Sequence, residues 1–370
     1  MEELRNLYHR PYDGTPSRGD RADDEPVLGM ALTGTGREVV LRERDLEAPR
    51  PPEDAPDPGA LRIDPCGPGP TETCAPHDFH PAEDIAPGIA GAVDRCLDES
   101  GAEGAFIRLL MERVPARGHA FWLIGGAVRD LVDVGPAARP NDLDFAGTLP
   151  PTALLREIED RYVLAGLGDY RPRLSPDSLV VHLSRPAQKG PRILEYKALA
   201  VTDFRFSAWG GGLADDVTSR DLTVNSLYYD HGRRVLADPT GVGITHVRSR
   251  PRVLASRNAE RPAARTAGVL LRFLKFAVRY PEADLTELRE WAAALPGDLV
   301  GRLSDQDWPA LRYAWHKNVP EAGRERAVEL AGHLGPAAGA LVDRLTRART
   351  AAGTTAAAPR TTGTAKEGRE

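Results

Sequence analysis

Two aspartates, Asp142 and Asp144, stand two residues apart at the start of a short apolar run. On a β-strand, side chains at positions i and i+2 share a face, so the two carboxylates would point the same way. Paired carboxylates bind divalent cations, which prefer oxygen ligands, and hold them against a substrate phosphate. A polar strand end that only caps a turn would show the same pair, so the pair alone is weak evidence.

A pair of glycines precedes these aspartates at the end of another apolar run. Residues 121–124 read FWLI, Gly125 and Gly126 follow, and a helix-like segment then carries Arg129 and Asp130. Glycines let the backbone approach a ligand closely, and a helix start offers N–H groups and a positive dipole end to phosphate. Arg129 could form a bidentate contact with phosphate oxygens. A tight strand-to-helix turn would also explain the glycines, but the whole pattern indicates a nucleotidyl transfer site.

A second polar block, SRDLTVNSLYYD, occupies residues 219–230, and Asp-Pro-Thr-Gly follows at 238–241. We expect a helix over 220–227, in which Asp221 and Asn225 lie four residues apart on one face. An alternative is that Asp221 serves only as a helix N-cap.

The two blocks, GGAVRD with its Asp-x-Asp strand and SRDLTVNS, resemble the head domain of the tRNA nucleotidyltransferase/poly(A) polymerase family. That family belongs to the DNA polymerase beta-like nucleotidyltransferase superfamily. The resemblance covers roughly residues 100–245 well and 250–280 faintly. It implies an α/β (α+β) head with a small mixed sheet, followed by an all-α neck. It also implies metal-dependent transfer of a nucleotide from an NTP, ATP or CTP, to an RNA 3′-OH, with release of pyrophosphate and with tRNA as one candidate acceptor.

The resemblance also assigns roles to single residues. Asp142 and Asp144 would bind two Mg²⁺ ions. Two-metal phosphoryl chemistry usually needs a third carboxylate on a neighbouring strand, and Glu195 in the β-rich run RILEYKALAV is the candidate, with Asp203 as its rival. Residues that would contact the nucleotide are Gly125, Gly126, Arg129, Asp130, Arg220, Asp221, Asn225, Arg272 and Lys275.

Two departures from the family pattern affect this expectation. Ser219 replaces the first arginine of the family's RRD block. The EDxxR motif that templates the incoming C or A base is also absent, because Thr266 and Val269 stand in place of its acid and arginine. A site without those groups should not select bases in the usual way, so we do not expect ordered CCA synthesis. Arg272 and Lys275 match basic positions of the neck helix, although a solvated basic face explains them equally well.

Charge divides the 370-residue chain unevenly. Residues 1–100 carry a net charge of −12 and the remainder +6, which together give the formal −6. The motif-bearing part is therefore basic, as suits a polyanionic substrate. Three cysteines do not make a disulfide framework, and we find no signal peptide and no run of about 18 apolar residues. We expect a cytoplasmic protein without a membrane span or an obligate protein partner.

Composition and periodicity suggest four segments. Residues 1–85 are acidic and Pro/Gly-rich, so we expect them to be largely disordered and dispensable, apart from an island at 27–46 that could form a hairpin. Within that segment, Cys66, Cys74, His77 and His80 lack a standard zinc spacing, and incidental loop residues are the favoured interpretation. The other segments are the head (86–250), a helical neck or RNA-binding-like domain (251–346) and a disordered tail (347–370).

Strand-like runs lie at 120–124, 141–146, 178–183, 191–202 and 234–237, and helix-like runs at 126–133, 152–164 and 220–227.

Two other functions stay open at this point. One is transfer of a nucleotide to a small molecule or a protein hydroxyl, and the other is a non-catalytic relative that binds RNA or nucleotide.

Overall fold

A computed structural model describes residues 27–32, 38–42, 78–140, 143–175, 180–184, 194–201, 208–209, 212–259 and 262–354. The chain forms two compact units. We call them the head unit, which extends to residue 262 and includes 282–287, and the helical unit, which comprises 263–281 and the chain from 288 onward.

The head unit is built on one eight-stranded mixed sheet, in the order β3-β12-β11-β4-β5-β8-β7-β6. All neighbouring strands are antiparallel except β5 and β8, which run parallel. The strands of the described residues are β1 (Val27–Leu32), β2 (Glu38–Arg42), β3 (Phe79–Pro81), β4 (Phe121–Ile124), β5 (Asp144–Gly147), β6 (Arg171–Ser175), β7 (Val180–Ser184), β8 (Leu194–Ala198), β9 (Ala200–Val201), β10 (Ala208–Trp209), β11 (Tyr228–Asp230) and β12 (Val235–Ala237).

Strands at the centre of the sheet have two different faces. Along β8, residues 194, 196 and 198 are buried, whereas Glu195 and Lys197 are half-buried, as the two-residue period of a strand requires. The fully apolar face holds a stack of Phe121 on Phe145 and Tyr196, with ring centroids 4.7 and 5.6 Å apart. The opposite face therefore carries the polar side chains of β5 and β8.

Twelve α-helices accompany these strands in the described residues. They are α1 (Ala82–Ile85), α2 (Ile89–Glu99), α3 (Ala102–Ala116), α4 (Gly126–Val134), α5 (Pro151–Glu159), α6 (Leu213–Thr218), α7 (Gly243–Arg248), α8 (Ala263–Arg279), α9 (Thr286–Ala293), α10 (Asp307–Asn318), α11 (Arg324–Leu334) and α12 (Pro336–Thr354). Helix α6 lies on the polar side of the sheet, where Leu213 and Val217 pack with Trp122, Ile124 and Tyr228. No helix of the described residues is both long and apolar enough to cross a membrane.

The helical unit has its own core. Helix α8 has an apolar face at the spacing expected of an amphipathic helix, and it packs against α10 and α11. Its buried residues are Thr266, Ala267, Val269, Leu270, Leu271, Phe273, Leu274, Phe276 and Ala277.

The expected α/β head and all-α region are confirmed, but several boundaries differ. Strand β3 pairs with β12, so the sheet begins upstream of residue 86, and a truncation at 85 would remove an edge strand. Residues 251–262 group with the head unit. At the other end, α12 continues to Thr354, beyond the predicted start of a disordered tail at 347.

Of two further secondary-structure predictions for the head unit, one is wrong and one is confirmed. The expected helix at 220–227 is wrong, because only Thr223–Asn225 forms a 3₁₀ turn and 228–230 is strand β11. The predicted hairpin at 27–46 is confirmed, since β1 and β2 pair antiparallel.

Candidate active site

The Gly-Gly turn joins β4 directly to α4. Gly125 has φ +70° and ψ −131°, a conformation that favours glycine because a Cβ atom would be strained there. The backbone N–H of Arg129 donates to the carbonyl of Gly125 at 3.0 Å and closes the first turn of α4. The glycine is therefore required by the backbone itself, whatever ligand approaches the turn.

Arg129 lies inside the protein rather than on its surface, since only 4% of its side chain is exposed. Its Nη1 donates to Oδ1 of Asn225 at 2.7 Å, and its Nε donates to Oδ1 of Asp130 at 2.9 Å. Asn225 Nδ2 in turn donates to Oδ1 of Asp221 at 3.0 Å. This network joins the GGAVRD block to the SRDLTVNS block, so Arg129, Asp130, Asp221 and Asn225 form one cluster, which we call the motif tie.

Residues 255–258, which the sequence did not single out, form hydrogen bonds with the segment that carries Asp221. The Ser256 hydroxyl donates to the carbonyl of Asp221 at 2.6 Å, and Asn258 Nδ2 donates to the carbonyl of Arg220 at 3.0 Å. Thr223 N–H donates to the carbonyl of Ala255 at 2.9 Å. Backbone groups of residues 220–223 are thus hydrogen-bonded to residues 255–258 rather than to the next turn of a helix, which is why the expected α-helix does not form there.

The partly buried Arg220 forms a second cluster with the fully buried Asp216 and Tyr228, which we call the ion-pair cluster. Its Nε donates to Oδ2 of Asp216 at 2.8 Å, and the Tyr228 hydroxyl donates to the same oxygen at 2.5 Å. The guanidinium carbon lies 5.3 Å from the centre of the Tyr228 ring. Burial alone would lower the pKa of Arg220, but the adjacent Asp216 and Tyr228 raise it above its ordinary value. Burial also raises the pKa of Tyr228.

Asp216 was missed in the sequence, although its signal was present. It stands four residues before Arg220, the spacing at which an acid and a base meet on a helical turn. What the spacing could not show is that Asp216 is fully buried. Through this pair, Arg220 holds the end of α6 against β11.

Asp144 and Glu195 lie side by side across the parallel strand pair of the sheet. They are register partners on β5 and β8, so their side chains share a face. Glu195 is the register partner of His182 on β7, and its Oε2 lies 3.6 Å from His182 Nδ1. On the other side, Asp144 is the register partner of Ile124, the residue before Gly125. Asp144 therefore adjoins the Gly-Gly turn, and Glu195 lies one strand further from it.

The donor set fits a divalent cation by type, because Asp144 and Glu195 supply neighbouring carboxylate oxygens on one face. In the described ranges there is no group of three or more His, Cys, Asp or Glu residues placed to hold a metal. Asp142 and Asp203 lie outside those ranges. The same holds for Cys66, Cys74 and His77, and among the four zinc candidates only His80, on β3, is described.

Arg272 and Lys275 belong to the helical unit rather than to the head. Both side chains approach the ring of Phe276, at 6.0 and 5.5 Å from its centre. Thr266 and Val269, which stand where the family has its base-templating acid and arginine, are buried within the helical unit.

Comparison with known protein families gives one match, to the description "Poly A polymerase head domain", over residues 184–251. This range includes the SRDLTVNS block, the ion-pair cluster and Glu195. No curated protein sequence matches the chain.

Several solved structures are similar to this chain at low identity. One is a CCA-adding enzyme from Bacillus stearothermophilus in complex with CTP, with 18% identity and a TM-score of 0.43 over 61% of this chain and 51% of that one. A Thermotoga maritima CCA-adding enzyme complexed with tRNA has 16% identity and a TM-score of 0.44, covering 66% and 54%. A CCA-adding enzyme in apo form II has 15% identity and a TM-score of 0.48, covering 70% and 56%. The chain thus spans about half the length of the proteins it resembles.

The GGAVRD block lies outside the matched range. The hydrogen bond from Arg129 to Asn225 links this block to the matched residues. Residues 184–251 are thus similar to the poly(A) polymerase head domain, and the GGAVRD block is hydrogen-bonded to that range.

Proposed function

We propose that this protein transfers a nucleotide from an NTP to the 3′-OH of an RNA and releases pyrophosphate. The observation that carries the proposal is the pairing of Asp144 with Glu195 beside the Gly125 turn. This arrangement gives two carboxylates on one strand face, at the point where a helix begins. The basic balance of residues 101–370 favours a polyanionic acceptor over a neutral one.

The reaction forms a bond between the RNA 3′ oxygen and the α-phosphorus and breaks the bond from that phosphorus to the bridging oxygen of pyrophosphate. Asp144 and Glu195, with Asp142 as predicted from sequence, would hold Mg²⁺. When bound, Mg²⁺ lowers the pKa of the acceptor hydroxyl and neutralises charge on the phosphates. The hydroxyl proton passes to solvent, and no covalent intermediate with the protein is needed.

The chain itself supplies position and space. Gly125 keeps the approach to the first turn of α4 open, and the N–H groups of that turn suit a phosphate. Asp144 is the register partner of Ile124, the residue before this turn, and Glu195 is the register partner of Asp144 on the next strand.

We also propose that Arg129 and Arg220 act as positioning residues. Arg129 is bonded to Asp130 and Asn225, and Arg220 is bonded to Asp216. Arg129 thereby links α4, which follows the glycine turn, to the SRDLTVNS block, and Arg220 links α6 to β11, which pairs with β4. This assignment replaces the direct phosphate contact that the family resemblance implies for them.

Base selection should be weak in this protein. Thr266 and Val269 are buried and offer no matched set of donors and acceptors to a base edge. A tRNA that lacks its 3′ end, incubated with CTP and ATP, should therefore not be completed faithfully to C-C-A, and sequencing of the products tests this. Faithful completion would refute the proposal and point to other template side chains.

The function itself is tested by incubating the full chain with each labelled NTP in turn and with Mg²⁺ present or absent. Separate reactions contain total RNA, a small-molecule extract or an unfolded protein as acceptor. Label that enters RNA at its 3′ end only with Mg²⁺ supports the proposal. Label in small molecules or protein alone would assign the acceptor to another class, and label in no fraction would favour a binding protein.

A further inference from the structure

The helical unit contains a cleft whose lining residues all belong to that unit. It has a volume of about 700 Å³ and is formed by the turn at 299–302, the segment before α10, and helices α10 and α12. This volume is in the range of sites that hold a nucleotide-sized ligand. Its lining residues are Val300, Asp305, Trp308, Arg312, Ala340, Asp343, Arg344 and Arg347.

Helical periodicity brings the polar side chains of the cleft together. Trp308 and Arg312 stand four residues apart on α10, and Arg344 and Arg347 stand three apart on α12, so each pair lies on one helix face. The two faces line the same cleft, which therefore concentrates three guanidinium groups.

Only one of these three charges is neutralised by an acid in the described part of the chain. Arg347 Nη2 lies 2.6 Å from Oδ2 of Asp343. The guanidinium carbon of Arg344 instead lies 5.6 Å from the centre of the Trp308 ring, and Trp308 is only 7% exposed. A buried indole beneath it keeps this guanidinium at the wall of the cleft.

Arg312 is exposed and has no ion pair or hydrogen bond with the described residues. The cleft holds three arginines and two acids, Asp305 and Asp343, of which Asp343 is paired with Arg347, so a bound anion would relieve the repulsion between the remaining like charges. Guanidinium groups match the geometry of phosphate oxygens. Asp305, at the rim of the same cleft, can accept a hydrogen bond from a hydroxyl but would repel a phosphate placed on it.

We propose that this cleft binds a ribonucleotide unit of an RNA strand, with the phosphate between Arg312 and Arg344 and the ribose 2′-OH donating to Asp305. The inference rests on the proposed function, since RNA is the acceptor proposed there. The cleft is then a second RNA-binding surface, on the helical unit, and it adds affinity without taking part in the transfer.

The test measures binding of a fluorescent single-stranded RNA to the full chain without NTP, by anisotropy over a range of salt concentrations. The variant is Arg312→Glu with Arg344→Glu, and the matched control is Arg289→Glu, an exposed arginine of the same unit outside the cleft. We expect the double variant to bind at least about tenfold more weakly, with a salt slope smaller by about 0.7 for each phosphate that is no longer neutralised. The control should bind as the wild type does.

Two single variants test the contact with the phosphate and the contact with the ribose hydroxyl separately. Arg312→Gln alone, which breaks no hydrogen bond or ion pair with the described residues, should weaken RNA binding without changing the melting temperature. Asp305→Asn should reduce the preference for RNA over DNA of the same sequence. Equal RNA binding by the wild type and the double variant would overturn the proposal.

The outcome is independent of nucleotide transfer. RNA binding is measured without NTP, and the cleft belongs to the helical unit, whereas Asp144 and Glu195 belong to the head unit. If the protein transfers no nucleotide and RNA binding still depends on Arg312 and Arg344, the proposed function fails while the RNA site stands.

Discussion

One row of register partners crosses the sheet of the head unit, and its two halves differ in character. On one side, Tyr228 and Ile124 are buried beneath α6. On the other, Asp144, Glu195 and His182 continue the row across β5, β8 and β7 as partly exposed polar side chains. Tyr228 belongs to the ion-pair cluster, so the buried half also holds charge, but in a form that is already paired.

The comparison shows why residues from one family pattern can have different roles. A buried charge is tolerated only with a partner, and Arg220 has Asp216 while Arg129 has Asp130 and Asn225. Asp144 and Glu195 are instead neighbouring like charges in register, with His182 beside Glu195, on the partly exposed half of the row. The buried half is therefore stabilised by its charges, whereas the open half is arranged to bind.

The largest effect on stability should come from the ion-pair cluster. Arg220→Met leaves Asp216 charged and buried without its partner, so the free energy of unfolding should fall by about 3–5 kcal/mol. Urea unfolding measures this loss. Arg257→Met is the control, because its ion pair with Glu287 is exposed and should change stability by less than about 1 kcal/mol. Equal effects in the two variants would show that burial of the pair is unimportant.

A smaller loss should follow when the motif tie is cut. Asn225→Ala removes the acceptor of Arg129 Nη1 and the donor to Asp221, so the free energy of unfolding should fall by about 1.5–3 kcal/mol. Asn225→Asp keeps an acceptor for Arg129 but places a second acid against Asp221, so it should lose stability as the pH rises. A wild-type unfolding midpoint for Asn225→Ala would mean that the two blocks hold together without this bond.

Lowering the pH should destabilise the 3₁₀ turn at Thr223–Asn225, by a smaller amount than the substitutions above. His246 lies beside Thr223, with Nδ1 and Oγ1 2.9 Å apart, and burial lowers its pKa below the ordinary 6.5. The unfolded chain therefore takes up a proton first, so stability is full above pH 6.5 and falls as the pH drops through the folded pKa, by at most about 1.4 kcal/mol per pH unit.

His246→Gln should reduce the acid dependence of the unfolding midpoint. His333→Gln, at an exposed histidine of the helical unit, is the control. Burial lowers the pKa of His231 as well, so part of the dependence should persist in His246→Gln. An unchanged pH profile in that variant would remove His246 from the account.

Substitutions of Asp144 and Glu195, in the partly exposed half of the row, should change the free energy of unfolding least. Asp144→Asn and Glu195→Gln each change one charge on the partly exposed half of the row, so the free energy of unfolding should change by no more than about 1 kcal/mol. A loss as large as that of Arg220→Met would mean that the carboxylates are structural.

Local signals explain what could be predicted from the sequence. The apolar run at 121–124, the glycines after it and the amphipathic helix that follows are all predicted correctly, because neighbouring residues determine them. The choice of Glu195 depends on the family resemblance, since pairing between β5 and β8 is a contact between distant parts of the chain. Strand β3 escapes prediction because Phe-His-Pro is short and ends a Pro/Gly-rich segment.

Distant contacts also account for the wrong helix prediction at 220–227, whereas contact of Arg129 and Arg220 with the nucleotide stays a prediction. The stretch at 220–227 has helical spacing, but Ala255, Ser256 and Asn258 take its hydrogen bonds. Arginine suits phosphate, which is why Arg129 and Arg220 are expected to face the nucleotide. Their burial depends on Asn225 and Asp216, which no local pattern marks as buried.

The central claim is that Asp144 and Glu195 carry the transfer chemistry while the buried arginines hold the site in place. The most direct measurement is the rate of labelled-nucleotide incorporation into RNA by Asp144→Asn and Glu195→Gln, with Asp169→Asn as an exposed, matched control. The account predicts that both site variants are slower by about 100-fold or more at unchanged stability, because a lost metal ligand costs several kcal/mol in the transition state. It also predicts a wild-type rate for Asp169→Asn. A wild-type rate in either site variant would contradict the account.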